Sequence, residues 1–158
     1  MIIETPSGLR DLINRSKKIA MVGASPNPQR PSYFVFSYLR TRGLDIKPIN
    51  PTTPAIDGIK AYPSLAAYAE ENGAPDIVDV FRKPADAPHV VKDAIAVGAK
   101  AIWFQYGVIN AEAIRLADDA GLDVVVDRCL KVETARFSRG LSISGMNSGI
   151  ITSKRPAV

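Results

Sequence analysis

The residues richest in chemistry follow short apolar runs. Lys18-Ile19-Ala20-Met21-Val22-Gly23 leads into Ala24-Ser25-Pro26-Asn27-Pro28-Gln29-Arg30-Pro31-Ser32. A glycine at such a bend lets backbone approach a phosphate. Ser25 and Ser32 carry hydroxyls, Arg30 carries a fork of donors, and the free amides of a following helix start attract anions. A pyrophosphate suits this set. The same residues also make ordinary turns, and one glycine is less than a full dinucleotide fingerprint.

Further along, Asp79-Val80-Phe81-Arg82-Lys83-Pro84 places an aromatic ring and two cations after another apolar run. Phe81 suits an adenine face or a pantetheine chain, with an aromatic plug as the plainer reading. Arg82 suits either a phosphate or a pairing with Asp79. Trp103-Phe104-Gln105-Tyr106-Gly107 offers an amide at Gln105 and close backbone approach at Gly107, while Trp103 and Phe104 read as core.

Several chemistries lack their residues. The spacing G-x-G-x-x-G is missing, and Ile49, Asn50 and Pro51 stand where an NAD-binding fold would put an acidic residue for ribose. The phosphate-loop pattern of nucleotide hydrolases is missing too. Cys129 stands at a helix start, a place that can lower a thiol's pKa. The chain's single histidine, His89, starts a different helix, so a structural thiol and a surface histidine are the expectation.

The elements that must position these residues alternate. A helix over roughly 6–16 opens the chain, with Thr5 as its cap and Pro6 in its first turn. Strands at Lys18–Gly23, Leu44–Ile49, Ile77–Phe81, Lys100–Phe104 and Leu122–Val126 are each followed by a helix. These helices start near Pro31, Ser64, Ala85, Ala111 and Leu130. Such alternation predicts an α/β, Rossmann-like three-layer fold, with a five-stranded, mainly parallel sheet flanked by helices. Pro48 cannot donate to a sheet ladder and is expected past the last paired amide. Residues 1–140 read as one domain, and 141–158, rich in Ser, Gly and Asn, as a C-terminal tail.

Composition agrees with one such domain. Of the 158 residues, 46% are hydrophobic, enough to cover two faces of a sheet, and the +4 net charge is scattered rather than clustered. One cysteine excludes an internal disulfide, and no apolar run reaches membrane-spanning length. A cytoplasmic protein with no membrane and no nucleic-acid partner is expected.

Taken in order, IAMVGASPNPQRPSYFVFSYLRTRG, IKPINP, DIVDVFRKP, AIWFQYGVIN and AGLDVVVDRC resemble the stand-alone CoA-binding protein family. Its relatives include the nucleotide-binding domain at the amino end of succinyl-CoA synthetase alpha subunits. The resemblance covers roughly residues 10–140. It implies coenzyme A, or an acyl-CoA, lying across the strand ends. Residue by residue, it implies that Gly23, Ala24 and Ser25 hold the phosphates with Arg30, Pro31 and Ser32. Asn50 and Pro51 would flank the nucleotide portion, Val80, Phe81 and Arg82 would line the pocket, and Gln105 with Gly107 would face the pantetheine arm. The synthetase's phosphorylated histidine belongs to a later domain, and no position here matches it. The resemblance thus implies a non-catalytic binding module. The alternatives are the CoA-holding subunit of a two-component acyl-CoA synthetase and, against the missing glycine pattern, an NAD(P)-binding redox sensor.

Overall fold

Apolar runs too short to be helices pair side by side, and the segments between them cover both faces of the resulting sheet. The computed structural model describes residues 1–138. In chain order it comprises α1 (Pro6–Asn14), β1 (Lys18–Val22), α2 (Pro31–Thr41), β2 (Asp45–Ile49), β3 (Ala55–Ile56), β4 (Ile59–Lys60) and α3 (Leu65–Asn72). These are followed by β5 (Ile77–Val80), a 3-10 turn at Pro84–Asp86, α4 (Ala87–Ala96), β6 (Ala101–Phe104), α5 (Ala111–Asp119), β7 (Asp123–Val126) and α6 (Leu130–Ser138). The expected tail at 141–158 lies outside the described residues.

The main sheet has five parallel strands in the order β2-β1-β5-β6-β7, as the alternation predicts. Strand residues divide between two cores. Ile19, Met21, Ile77 and Trp103 pack with Leu9 and Leu12 of α1, Phe36 and Leu39 of α2 and Leu130 of α6. Ala20, Val22, Val78, Val80 and Phe104 pack with Tyr68 of α3, Val91 of α4 and Ala113 of α5. Burial of each large aliphatic side chain contributes about 1.5–3 kcal/mol. Period-two strands between two helical layers therefore account for the sheet's near-continuous apolar character.

Local signals set the helix ends. Thr5 Oγ1 accepts from the Gly8 amide at 3.1 Å, Ser64 Oγ from Ala67 at 3.1 Å, and Asn110 Oδ1 from Ala113 at 2.9 Å. Gly43 follows α2 with φ +81°, a conformation that suits glycine after a helix.

Pro48 corrects the expectation placed on it. It lies inside β2, in register with Met21, because β2 is an outer strand of the sheet and not an interior one. Its carbonyl faces outward and accepts from the Tyr62 amide at 2.9 Å, so its missing N–H falls on the side away from β1. The antiparallel β3–β4 hairpin beside it was not anticipated. Its turn is Asp57-Gly58, with φ of 51° and 79°, the dipeptide that favours a tight hairpin. At the opposite border, Ile2 forms a parallel bridge with Val124 of β7, and the Ile3 amide donates to the Val124 carbonyl at 2.8 Å.

The winding determines where a site can form. From β1 the chain moves outward through α2 to β2, then returns through α3 to β5 on the other side of β1. This reversal opens a crevice beyond the carboxyl ends of β1 and β5, where open α/β sheets place their ligands.

Candidate functional site

A cleft of about 1190 Å³ occupies that crevice. Its walls come from the strand-end turns of β1, β2, β5 and β6 and from the first turns of α2, α3 and α6. Gly23, Ala24, Ser25, Arg30, Pro31, Ser32, Asn50, Pro51, Phe81, Arg82 and Gln105 all line it. Val80 and Gly107 do not. The Val80 side chain is fully buried in the core on the α3–α5 face. Gly107 has φ +77°, and its amide donates to Asp127 Oδ1 at 2.8 Å, within a turn beside the cleft.

The bend after β1 is held by its own polar groups. Ser25 Oγ accepts from the Asn27 amide at 3.1 Å, Asn27 Oδ1 from Gln29 at 2.9 Å, and the Asn27 carbonyl from Arg30 at 3.0 Å. Asn50 ties the second turn to the first: its Nδ2 donates to the Ala24 carbonyl at 2.8 Å, while Oδ1 accepts from the Thr52 amide at 2.8 Å. Gly23 has a reason beyond access for a ligand. Its φ is +85°, and a Cβ there would meet the Phe81 carbonyl oxygen at 2.0 Å. The glycine lets the two turns flanking the crevice close on each other.

Anion-attracting features converge here. Arg30 is the N-cap residue of α2 and makes no side-chain capping bond; Pro31 has no N–H and the Tyr33 amide donates to the Arg30 carbonyl at 3.0 Å, so among the described residues Ser32 holds the first-turn amide left without a partner. Ser32, one residue into the helix, is buried. Arg30 and Lys83 have no carboxylate partner among the described residues. Arg82 pairs with Asp86 at 3.1 Å, which removes the alternative of a pairing with Asp79. Lys131 lies 5.7 Å from the centre of the Tyr38 ring. Two exposed aromatic side chains, Phe34 and Tyr106, also line the opening.

Three polar residues were not connected by sequence. Asp79 of β5 is fully buried, and its Oδ1 accepts a short hydrogen bond from Gln105 Nε2. Burial pushes the Asp79 carboxyl up to about 7, against the lowering effect of that hydrogen bond. Cys129 lines the same cleft as Gln105. Burial drives its thiol upward, with the neighbouring Asp79 charge adding to the effect, so the lowering that a helix start can bring does not prevail. His89 lines the cleft as well, on the outer surface of α4, with Nε2 3.5 Å from Asp93. Trp103 is core, as expected, its Nε1 donating to the Arg128 carbonyl at 2.8 Å.

Parallel strands wound in two directions, with a cleft at their reversal built from glycine-bearing turns and helix starts, define a Rossmann-like ligand-binding domain. The chain belongs to the CoA binding domain family, whose pattern matches residues 17–135. It is 37% identical to YneT, an uncharacterised protein of Bacillus subtilis (strain 168), over 127 residues, 80% of this chain and 92% of that one. It is similar to a hypothetical protein from Pyrococcus horikoshii OT3, with 41% identity and a TM-score of 0.80 over 85% of this chain and 93% of that structure. It also resembles part of the apo dinucleotide-forming acetyl-coenzyme A synthetase 1 of Ca. Korarchaeum cryptofilum. There identity is 25% and the TM-score 0.60, covering 73% of this chain but 27% of the synthetase. Among the described residues no helix is long and apolar enough to cross a membrane, and no cluster of three metal-ligating side chains occurs.

Proposed function

We propose that this chain binds coenzyme A or an acyl-CoA in the strand-end cleft, as a cytoplasmic, non-catalytic module. The diphosphate would lie against the bend from Gly23 to Ser25 and the start of α2, with the Arg30 side chain and the Ser32 amide and hydroxyl as donors. Pro31, Asn50 and Pro51 would shape the nucleotide end, Phe81 and Arg82 would line the middle, and Gln105 would meet the pantetheine arm. Val80 and Gly107 would act behind these walls, as packing and turn residues. The observation that carries this reading is the combination of the unpartnered Ser32 amide with Arg30, which has no carboxylate among the described residues, at the β1/β5 reversal of a chain in this family.

The non-catalytic part of the reading rests on Cys129, whose thiol is held in its protonated form by burial. Calorimetric titration with CoA, acetyl-CoA, dephospho-CoA, NADH and ATP tests the whole. Binding of CoA or acetyl-CoA in preference to NADH and ATP is expected. Preference for NADH would restore the redox-sensor alternative and overturn this one.

A second reading is favoured by the likeness to one part of a much longer acetyl-CoA synthetase. On that reading the chain is the CoA-holding component of a two-chain enzyme. Co-purification of a ligase-type partner, with acyl-CoA formed only by the mixture, would support it.

A further inference from the structure

The side chain at position 79 follows Ile77 to the face of the sheet covered by α1, α2 and α6, a layer of aliphatic and aromatic residues. A valine or leucine would fill such a place. Asp79 instead buries a carboxyl that has one hydrogen-bond partner at Oδ1 and none at Oδ2. That arrangement costs stability and calls for a compensating use. Its partner, the carboxamide of Gln105, is 3% exposed and lines the cleft, which Asp79 does not. With Nε2 given to Asp79, Oε1 is the end that remains. It accepts no hydrogen bond from the described residues, and it is not among the sealed polar atoms that lack a partner.

We propose that Asp79 is a positioning residue: it holds the Gln105 carboxamide with Oε1 turned into the cleft, so that this wall selects a ligand group bearing an N–H donor. On the coenzyme A reading above, which this inference rests on, that group is an amide of the pantetheine arm. A carboxylate accepts and does not donate, so it pairs with the amide nitrogen and disfavours the flipped carboxamide. Asparagine at 79 either accepts or donates and removes that preference.

The test is calorimetric titration of the full chain at pH 8.5, above the elevated range of the Asp79 carboxyl. The ligands are CoA and two CoA analogues in which one or the other pantetheine amide is replaced by an ester of the same shape. The wild-type chain should bind one ester analogue roughly tenfold or more weakly than CoA. Asp79→Asn should reduce that ratio to about threefold or less. Gln105→Met should do the same, and it serves if Asp79→Asn does not fold. Equal binding of CoA and both esters by the wild type, or full discrimination in either folded variant, overturns the positioning role and leaves the cofactor reading standing. No binding of CoA by the wild type overturns the cofactor reading and this role with it.

Discussion

Gly23 and Phe81 meet so closely that a Cβ on the glycine would stand 2.0 Å from the Phe81 carbonyl oxygen. The obstacle is backbone, which cannot swing aside, and the glycine's φ of +85° is itself unfavourable for any L side chain. Gly23→Ala should therefore destabilise the fold by about 2–4 kcal/mol, read from the denaturant midpoint. It should also weaken CoA binding by spreading the two turns. Unchanged stability would mean that the turns are not in contact in solution.

Arg30 is exposed and holds no carboxylate among the described residues, so its removal should leave folding within about 0.5 kcal/mol of the wild type. Arg30→Ala should weaken CoA binding roughly tenfold or more if the guanidinium meets a phosphate, and should flatten the dependence of affinity on salt. An affinity and salt slope equal to those of the wild type would remove Arg30 from the phosphate site.

Asp79 gives the fold a pH dependence of definite sign. Its carboxyl rises from an ordinary 3.8 to about 7 on folding. Below the lower value both states are protonated and burial carries no ionic cost. Between the two, the unfolded chain releases a proton that the folded chain keeps, so stability falls as pH rises, and above about 7 the loss is complete. Asp79→Asn lacks this term. Its advantage over the wild type should grow from pH 4 to pH 7 by on the order of 4 kcal/mol at most, then level off. A stability difference constant across that window would contradict the buried carboxyl.

Burial that raises the Cys129 thiol should make it slow to react. Iodoacetamide at pH 7.5 should modify the native chain at least about tenfold more slowly than the urea-unfolded chain, and CoA should slow it further. Equal rates in the two states would point to an open thiolate.

Much of this architecture is legible in the order of residues alone. Runs such as Ile19–Val22 and Ile102–Phe104 are apolar at every position because helices cover both faces of the strands they form, and that signal is local. Thr5 and Pro6 announced α1 by the same kind of short-range chemistry. The β3–β4 hairpin escaped notice because strands of two residues carry no periodicity, although Asp57-Gly58 is a turn signal in its own right. Pro48 was misplaced because the position of a strand within a sheet is a tertiary property.

For the cleft, residues in the first turn were legible from their types. The partnership of Asp79 with Gln105 was not, since it depends on the register that sets Asp79 opposite Trp103, 24 positions along the chain. Sequence proximity suggested Arg82 instead, whose carboxylate is Asp86, one helical turn away. The resemblance implies Val80 as a pocket residue, while alternation along β5 sends its side chain into the opposite layer.

Each margin of the main sheet is met by one bridge. Tyr62 bridges the outer side of β2, and the residues at Ile2 and Ile3 run along β7. Each bridge takes up the amides and carbonyls around it, which shortens the ladder that another chain could zip onto. Fibre-like growth by strand addition is discouraged by this plan.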